Sequence, residues 1–188
     1  MRLVGHTRRF CFAAHMTRFL LFLTVWLVWA STALAQEPAT FYPVERPSPG
    51  FQAFLPDGTA VTSAAYSEKV LVLTFWASWC GPCLRELPHL QAMHDHYADD
   101  DRAAVLAINI GVSEPEDRAA RFWATTDYTL PYAYDRTSLI YATFGASAIP
   151  ATYIVAPGGT IRYEAYGIGD GAAYEAEVRG YVDSLISD

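Results

Sequence analysis

Seven consecutive residues, Val70-Leu71-Val72-Leu73-Thr74-Phe75-Trp76, constrain this chain more than any other segment. They are β-branched, aromatic or leucine, and they lack the alternation of a half-exposed strand. A strand of this kind is buried on both faces, which predicts a sheet covered by helices on both sides. Directly after it the period changes. Cys80 to about Tyr97 reads as a helix, with Leu87, Leu90 and Tyr97 near one face together with Cys83. Ala103 to Ile110 is a second apolar run of strand length. Strand, helix and strand within about forty residues imply a right-handed parallel crossover.

The remaining punctuation extends this pattern. Pro56-Asp57-Gly58-Thr59 is a turn joining two short strands. Ser113-Glu114-Pro115-Glu116 reads as a capping box with proline in the first turn, opening a helix to about Thr126. Tyr132 to Tyr134 is a short strand, and Asp135 caps a short helix ending at Gly145. Ala151–Val155 and Thr160–Tyr166 flank Pro157-Gly158-Gly159, a hairpin signal. Gly171 to Ile186 is a final amphipathic helix, with Tyr174, Val178, Tyr181, Val182 and Leu185 near helical spacing. The expected class is α/β: a mixed central sheet flanked by helices, with an N-terminal strand extension and a central helix-strand insert at 114–134.

The N-terminal region reads as an address. Arg2, Arg8, Arg9 and Arg18 precede an apolar run from Phe19 to Ala30, and Ser31-Thr32-Ala33-Leu34-Ala35 follows. A positive flank, a short apolar stretch and a small-x-small ending make a secretory signal cleaved after Ala35. The competing reading is an uncleaved anchor, but Phe19 to Ala35 would give only roughly 25 Å of helix. Either reading places the remainder outside the cytoplasm, periplasmic or otherwise extracytoplasmic. Met16 directly before the apolar run offers an alternative start. Residues 36–50 hold Pro38, Pro43, Pro47 and Pro49 and read as an extended tether. The folded domain is then 51–188.

Cleavage changes what the composition means. The whole chain has 188 residues, three cysteines and a formal charge of −7. Loss of residues 1–35 removes Cys11 and four arginines, leaving 9 basic and 20 acidic residues and a charge of −11. Such a balance excludes nucleic acid as a partner. The two remaining cysteines are too few for a stapled scaffold or a four-thiolate metal site.

Those two cysteines stand in Trp79-Cys80-Gly81-Pro82-Cys83, between the buried strand and its helix. Cys80 falls near the helix N-cap, where unpaired N–H groups and the macrodipole favour a thiolate. Cys83 lies one turn further in, and the spacing lets the sulfurs reach bonding distance. Pro82 suits the first turn, where its missing N–H loses no partner.

The segment Phe75-Trp76-Ala77-Ser78-Trp79-Cys80-Gly81-Pro82-Cys83, with Pro88 five residues on, resembles thioredoxin. Leu84-Arg85-Glu86-Leu87-Pro88 resembles more narrowly the TlpA/ResA branch of extracytoplasmic thiol–disulfide oxidoreductases, several of which serve cytochrome c maturation. The likeness runs from about residue 50 to the end. It includes Phe144-Gly145, Ala148-Ile149-Pro150-Ala151-Thr152-Tyr153 around an implied cis-proline, and Gly158, Gly159 and Gly167. Thioredoxin proper has a buried Asp where this chain has Thr74, so the proton-transfer role must lie elsewhere. Glu86, three residues after Cys83 and on the same helix face, takes that role by resemblance. The bland alternative is a solvated Glu86 paired with a neighbour such as Arg85.

The resemblance implies dithiol exchange with no added cofactor. Cys80 attacks a partner disulfide and Cys83 resolves the intermediate. Trp79, Gly81, Pro82, Ile149 and Pro150 form the surface against which the substrate lies, with the backbone of Ile149 open to strand addition. Trp76 is expected to pack in the core. Protein disulfides are the expected substrates, and a membrane thiol–disulfide donor the expected upstream partner. The alternatives are a dithiol oxidase or isomerase of the same fold, and a peroxiredoxin-type peroxidase. Gly81-Pro82 between the cysteines matches the reducing pattern. His89, His94 and His96 do not have the spacing of a zinc set and read as solvated.

Overall fold

The all-apolar segment at 70–76 takes the middle of a sheet, which has eight strands among the described residues. The computed structural model describes residues 41–112 and 114–187. The expected signal at 1–35, and residues 36–40 of the expected tether, lie outside the described residues. The strands are β1 (Tyr42–Pro47), β2 (Gln52–Phe54), β3 (Ala60–Thr62), β4 (Val70–Trp76), β5 (Ala103–Asn109), β6 (Tyr132–Tyr134), β7 (Ala151–Ala156) and β8 (Thr160–Tyr166). They line up in the order β1-β8-β7-β4-β5-β6-β2-β3. The α-helices are α1 (Gly81–His96), α2 (Glu116–Trp123), α3 (Leu139–Thr143) and α4 (Gly171–Ser187). Among the described residues no helix is long and apolar enough to cross a membrane.

β4 is buried at every position. It pairs in parallel with β5, Val70 opposite Ala103 through Trp76 opposite Asn109, and antiparallel with β7. The parallel crossovers through α1 and α2 place the C-terminal ends of β4, β5 and β6 along one edge of the sheet. The loop carrying the two cysteines leaves from that edge. Phe75 points into an aromatic cluster of Tyr141, Phe144 and Tyr153, with ring centroids 5.3–5.9 Å away. Trp76 is fully buried against Phe122, Trp123 and Tyr132 of the insert. The insert therefore supplies one wall of the core rather than a surface appendage.

Two local expectations are corrected. Residues 42–47, read as tether, form an edge strand paired with β8. Their two prolines forbid a central strand, but an edge strand has one side with no ladder to serve. The register slips between Pro43 and Arg46, which absorbs the proline geometry in a bulge. Arg46 then pairs with Glu164 at 2.9 Å and donates to the Phe144 carbonyl at 3.0 Å. Ser113 of the expected capping box lies outside the described residues, but the helix begins later than expected. α2 starts only at Glu116, with Pro115 at the N-cap and no side-chain cap bond. The carboxylate of Glu114 is engaged elsewhere.

Candidate active site

Cys80 has extended backbone (φ −90°, ψ 99°) and is the N-cap of α1, as its position after an apolar strand predicts. Its Sγ accepts from the Cys83 N–H at 3.2 Å, so a free amide of the first turn points at the sulfur. Cys80 and Cys83 are joined in a disulfide, with Cα atoms 5.2 Å apart. Both are buried, while Gly81 and Pro82 between them are exposed. Trp79 is 46% exposed beside the disulfide, unlike the buried Trp76.

The sheet brings a distant segment to the sulfurs. Pro150 immediately precedes β7, the neighbour of β4, and the Ile149–Pro150 peptide is cis. The Ile149 carbonyl oxygen lies 3.7 Å from Cys80 Sγ. An oxidised sulfur carries no proton, so this is a contact rather than a hydrogen bond. Pro150 is buried and Ile149 half-buried, and the Pro150 carbonyl accepts from Gly167 N–H at 2.9 Å.

Glu86 is fully buried. The solvated alternative with Arg85 is therefore overturned. Its Oε1 accepts from Tyr174 Oη at 2.5 Å and Thr152 Oγ1 at 2.7 Å, and its Oε2 from Thr74 Oγ1 at 3.0 Å. Burial pushes the carboxyl above its ordinary range, while the three hydroxyl donors and the charge of His89 act the other way. Thr74 stands where thioredoxin has its buried Asp, and here it serves the acid instead. His89 is half-buried with Nδ1 3.1 Å from Glu175, so it is not simply solvated. His96 contacts Arg179 on α4, so the histidines do not converge on one point.

Glu114 braces the candidate site, which its place in a capping pattern conceals. Its carboxylate accepts from the Ser78 N–H at 2.9 and 3.1 Å, from the Ser78 hydroxyl, and from Asn109 Nδ2 at 2.6 Å. It ties the turn before Trp79-Cys80 to the end of β5. Gly111 makes this possible: at φ +67° a Cβ would stand 2.5 Å from the Asp135 carbonyl oxygen. The signal was present in the sequence, a carboxylate just past a buried strand end that carries Asn109. It competed with a better-known capping pattern. Glu114→Ala leaves the buried Asn109 amide and the Ser78 N–H without their acceptor. The expected result is a loss of about 1–3 kcal/mol in urea unfolding, with exchange slowed several-fold.

Comparison with known proteins bears on the family and the fold. The AhpC/TSA family matches residues 44–164. Thioredoxin-like protein YneN of Bacillus subtilis is 37% identical over 99 residues, 52% of this chain and 56% of that protein. Thiol-disulfide oxidoreductase ResA of Oceanobacillus iheyensis is 26% identical over 170 residues, 88% of this chain and 85% of the relative. A secreted thiol-disulfide isomerase from Corynebacterium glutamicum superposes with a TM-score of 0.68 at 22% identity, over 81% of this chain and 93% of that one. The fold is thioredoxin-like. The chain spans about half the length of the first two curated relatives it matches, 56% and 54%.

Proposed function

The chain belongs to the AhpC/TSA family, and from the dithiol site built on its thioredoxin-like fold we propose that it is a thiol–disulfide oxidoreductase that reduces disulfides of partner proteins. The observation that carries this reading is the Cys80–Cys83 disulfide at a helix N-terminus, with a fully buried acid one turn further along.

In the reduced protein the Cys80 thiolate attacks one sulfur of the partner disulfide. A Cys80–partner bond forms and the other partner sulfur leaves as a thiolate. Cys83 gives up its proton and attacks Cys80 Sγ, which releases the second partner thiolate and forms the Cys80–Cys83 disulfide. Two electrons have passed to the partner. The helix N-terminus stabilises the Cys80 thiolate as attacker and as leaving group. Glu86 takes up the Cys83 proton, because it lies three residues along the same helix and is shielded from water. Trp79, Gly81, Pro82, Ile149 and Pro150 meet the partner, whose extended backbone pairs with Ile149.

A further dithiol must reduce the disulfide again. The signal-like residues 1–35 support an extracytoplasmic site for this cycle, with a membrane thiol–disulfide donor upstream. Apocytochrome c cysteines are a fitting substrate class there, by resemblance to the branch that serves cytochrome c maturation. The redox midpoint decides the direction: a value below about −250 mV is expected for a reductase, and one near −120 mV would make the protein an oxidase. Consumption of peroxide by the pure protein would instead assign it to peroxidase chemistry.

A further inference from the structure

The acid at the centre of the site is held by groups from three other elements. Thr74 comes from β4, Thr152 from β7 and Tyr174 from α4, and all three are buried. From its own helix the acid has Cys83 on one side and His89, paired with Glu175, on the other. The four polar side chains form a closed set: Thr152 Oγ1 also lies 3.0 Å from Tyr174 Oη and 3.2 Å from Thr74 Oγ1.

Each hydroxyl owns one proton and can both donate and accept. Three protons can therefore all point at an ionised carboxylate, which matches the three short contacts. When the carboxyl is protonated, its own proton needs an acceptor. Thr152 can then turn its hydrogen toward Tyr174 or Thr74 and accept from Glu86. Neither protonation state leaves a buried polar atom unpaired. An arginine or a pair of backbone amides would serve the anion alone.

We propose that Tyr174 is a positioning residue that sets the proton affinity of Glu86, making α4 part of the active site. The inference deepens the reading of Glu86 as the proton acceptor for Cys83, and rests on it. Tyr174 makes the shortest of the three contacts, and its phenol keeps its proton because burial and the neighbouring carboxyl push its own ionisation far up. Removing a donor from the charged form must raise the carboxyl's affinity for a proton.

The test is Tyr174→Phe, which keeps the ring and loses only the hydroxyl. The Glu86 titration is followed directly, as the carboxyl C=O infrared band present in wild type and absent in Glu86→Gln. It is expected to move up by about one to two pH units, the size set by one hydrogen bond to a charged group. The inflection of the exchange rate against pH is expected to move with it. A purely structural role would lower the amplitude and leave both inflections in place, and that result in a folded variant overturns the proposal. If Tyr174→Phe fails to fold, 3-fluorotyrosine introduced at position 174 gives a stronger donor of nearly the same shape. The carboxyl titration must then move down, and no movement overturns the proposal equally. A titration that moves while the rate profile stays fixed would sink the proton-acceptor reading and leave the tyrosine's effect standing.

Discussion

Replacing Cys80 by serine is expected to bring insulin disulfide reduction down to the uncatalysed background, and replacing Cys83 by serine to turn the protein into a trap. The asymmetry follows from where α1 begins. Cys80 is its N-cap, with the Cys83 N–H 3.2 Å from its sulfur, and it keeps 6% exposure between the exposed Trp79 and Gly81. A serine hydroxyl at that place is neither ionised near neutral pH nor able to form the first mixed disulfide. Cys83 is wholly buried beneath it and meets only the intermediate. With serine at position 83 the Cys80–partner bond forms and nothing resolves it. The measurement is a non-reducing gel of the Cys83→Ser protein incubated with an oxidised substrate protein. A higher band that collapses on adding dithiothreitol is expected. Wild-type turnover by Cys80→Ser would sink the assignment. Trapping through Cys83 in the Cys80→Ser protein would reverse the two roles.

The second large effect is expected at Glu86. Glu86→Gln should slow exchange by about 100-fold at neutral pH, the lower end of what a general acid–base group supplies. It should also remove one inflection from the pH profile. The fold should survive, because an amide can use the same hydroxyl cage and those hydroxyls can accept as well as donate. Stability carries a separate signature. Burial raises the carboxyl's folded pKa above the ordinary 4.5. The unfolded chain therefore releases its proton first as pH rises. Wild-type stability from this group is fully present below about pH 4.5 and is lost as pH climbs through the raised folded value. Glutamine has no such loss. Relative to wild type, Glu86→Gln should gain about 1.4 kcal/mol for each pH unit crossed in that window. Denaturant midpoints at pH 4 and pH 8 measure it. An unchanged difference between the two proteins would mean that the carboxyl ionises normally in the fold. An unchanged rate profile would remove Glu86 from the mechanism.

Much of the site was legible because it is local. The apolar run at 70–76, the abrupt change to helical period and the Cys-Gly-Pro-Cys spacing lie within about fifteen residues of each other. Local order is what chain pattern encodes most directly. The exposure of Trp79 and the burial of Trp76 follow from the same stretch: Trp76 ends a strand covered on both faces, and Trp79 stands in the loop beyond it. Local pattern misleads where two rules compete for the same residues. Pro43 and Pro47 excluded a central strand but did not exclude an edge, and the edge is what forms. Glu114 fitted a capping pattern, yet the buried Asn109 amide and the Ser78 turn hold its carboxylate instead.

A dithiol at a helix N-terminus after a buried strand follows from local chain order, because those residues are neighbours along the chain and the macrodipole belongs to the helix alone. The same order places an acid one turn away. What that acid does depended on the tertiary structure. Thr74, Thr152 and Tyr174 are 12, 66 and 88 residues from Glu86 and meet it only because β4 lies beside β7 and α4 packs across them. A carboxylate in water is an ordinary surface charge. The same carboxylate shut away from water has a raised proton affinity, and the three hydroxyls around it satisfy both of its protonation states; no local pattern in the chain contains that difference.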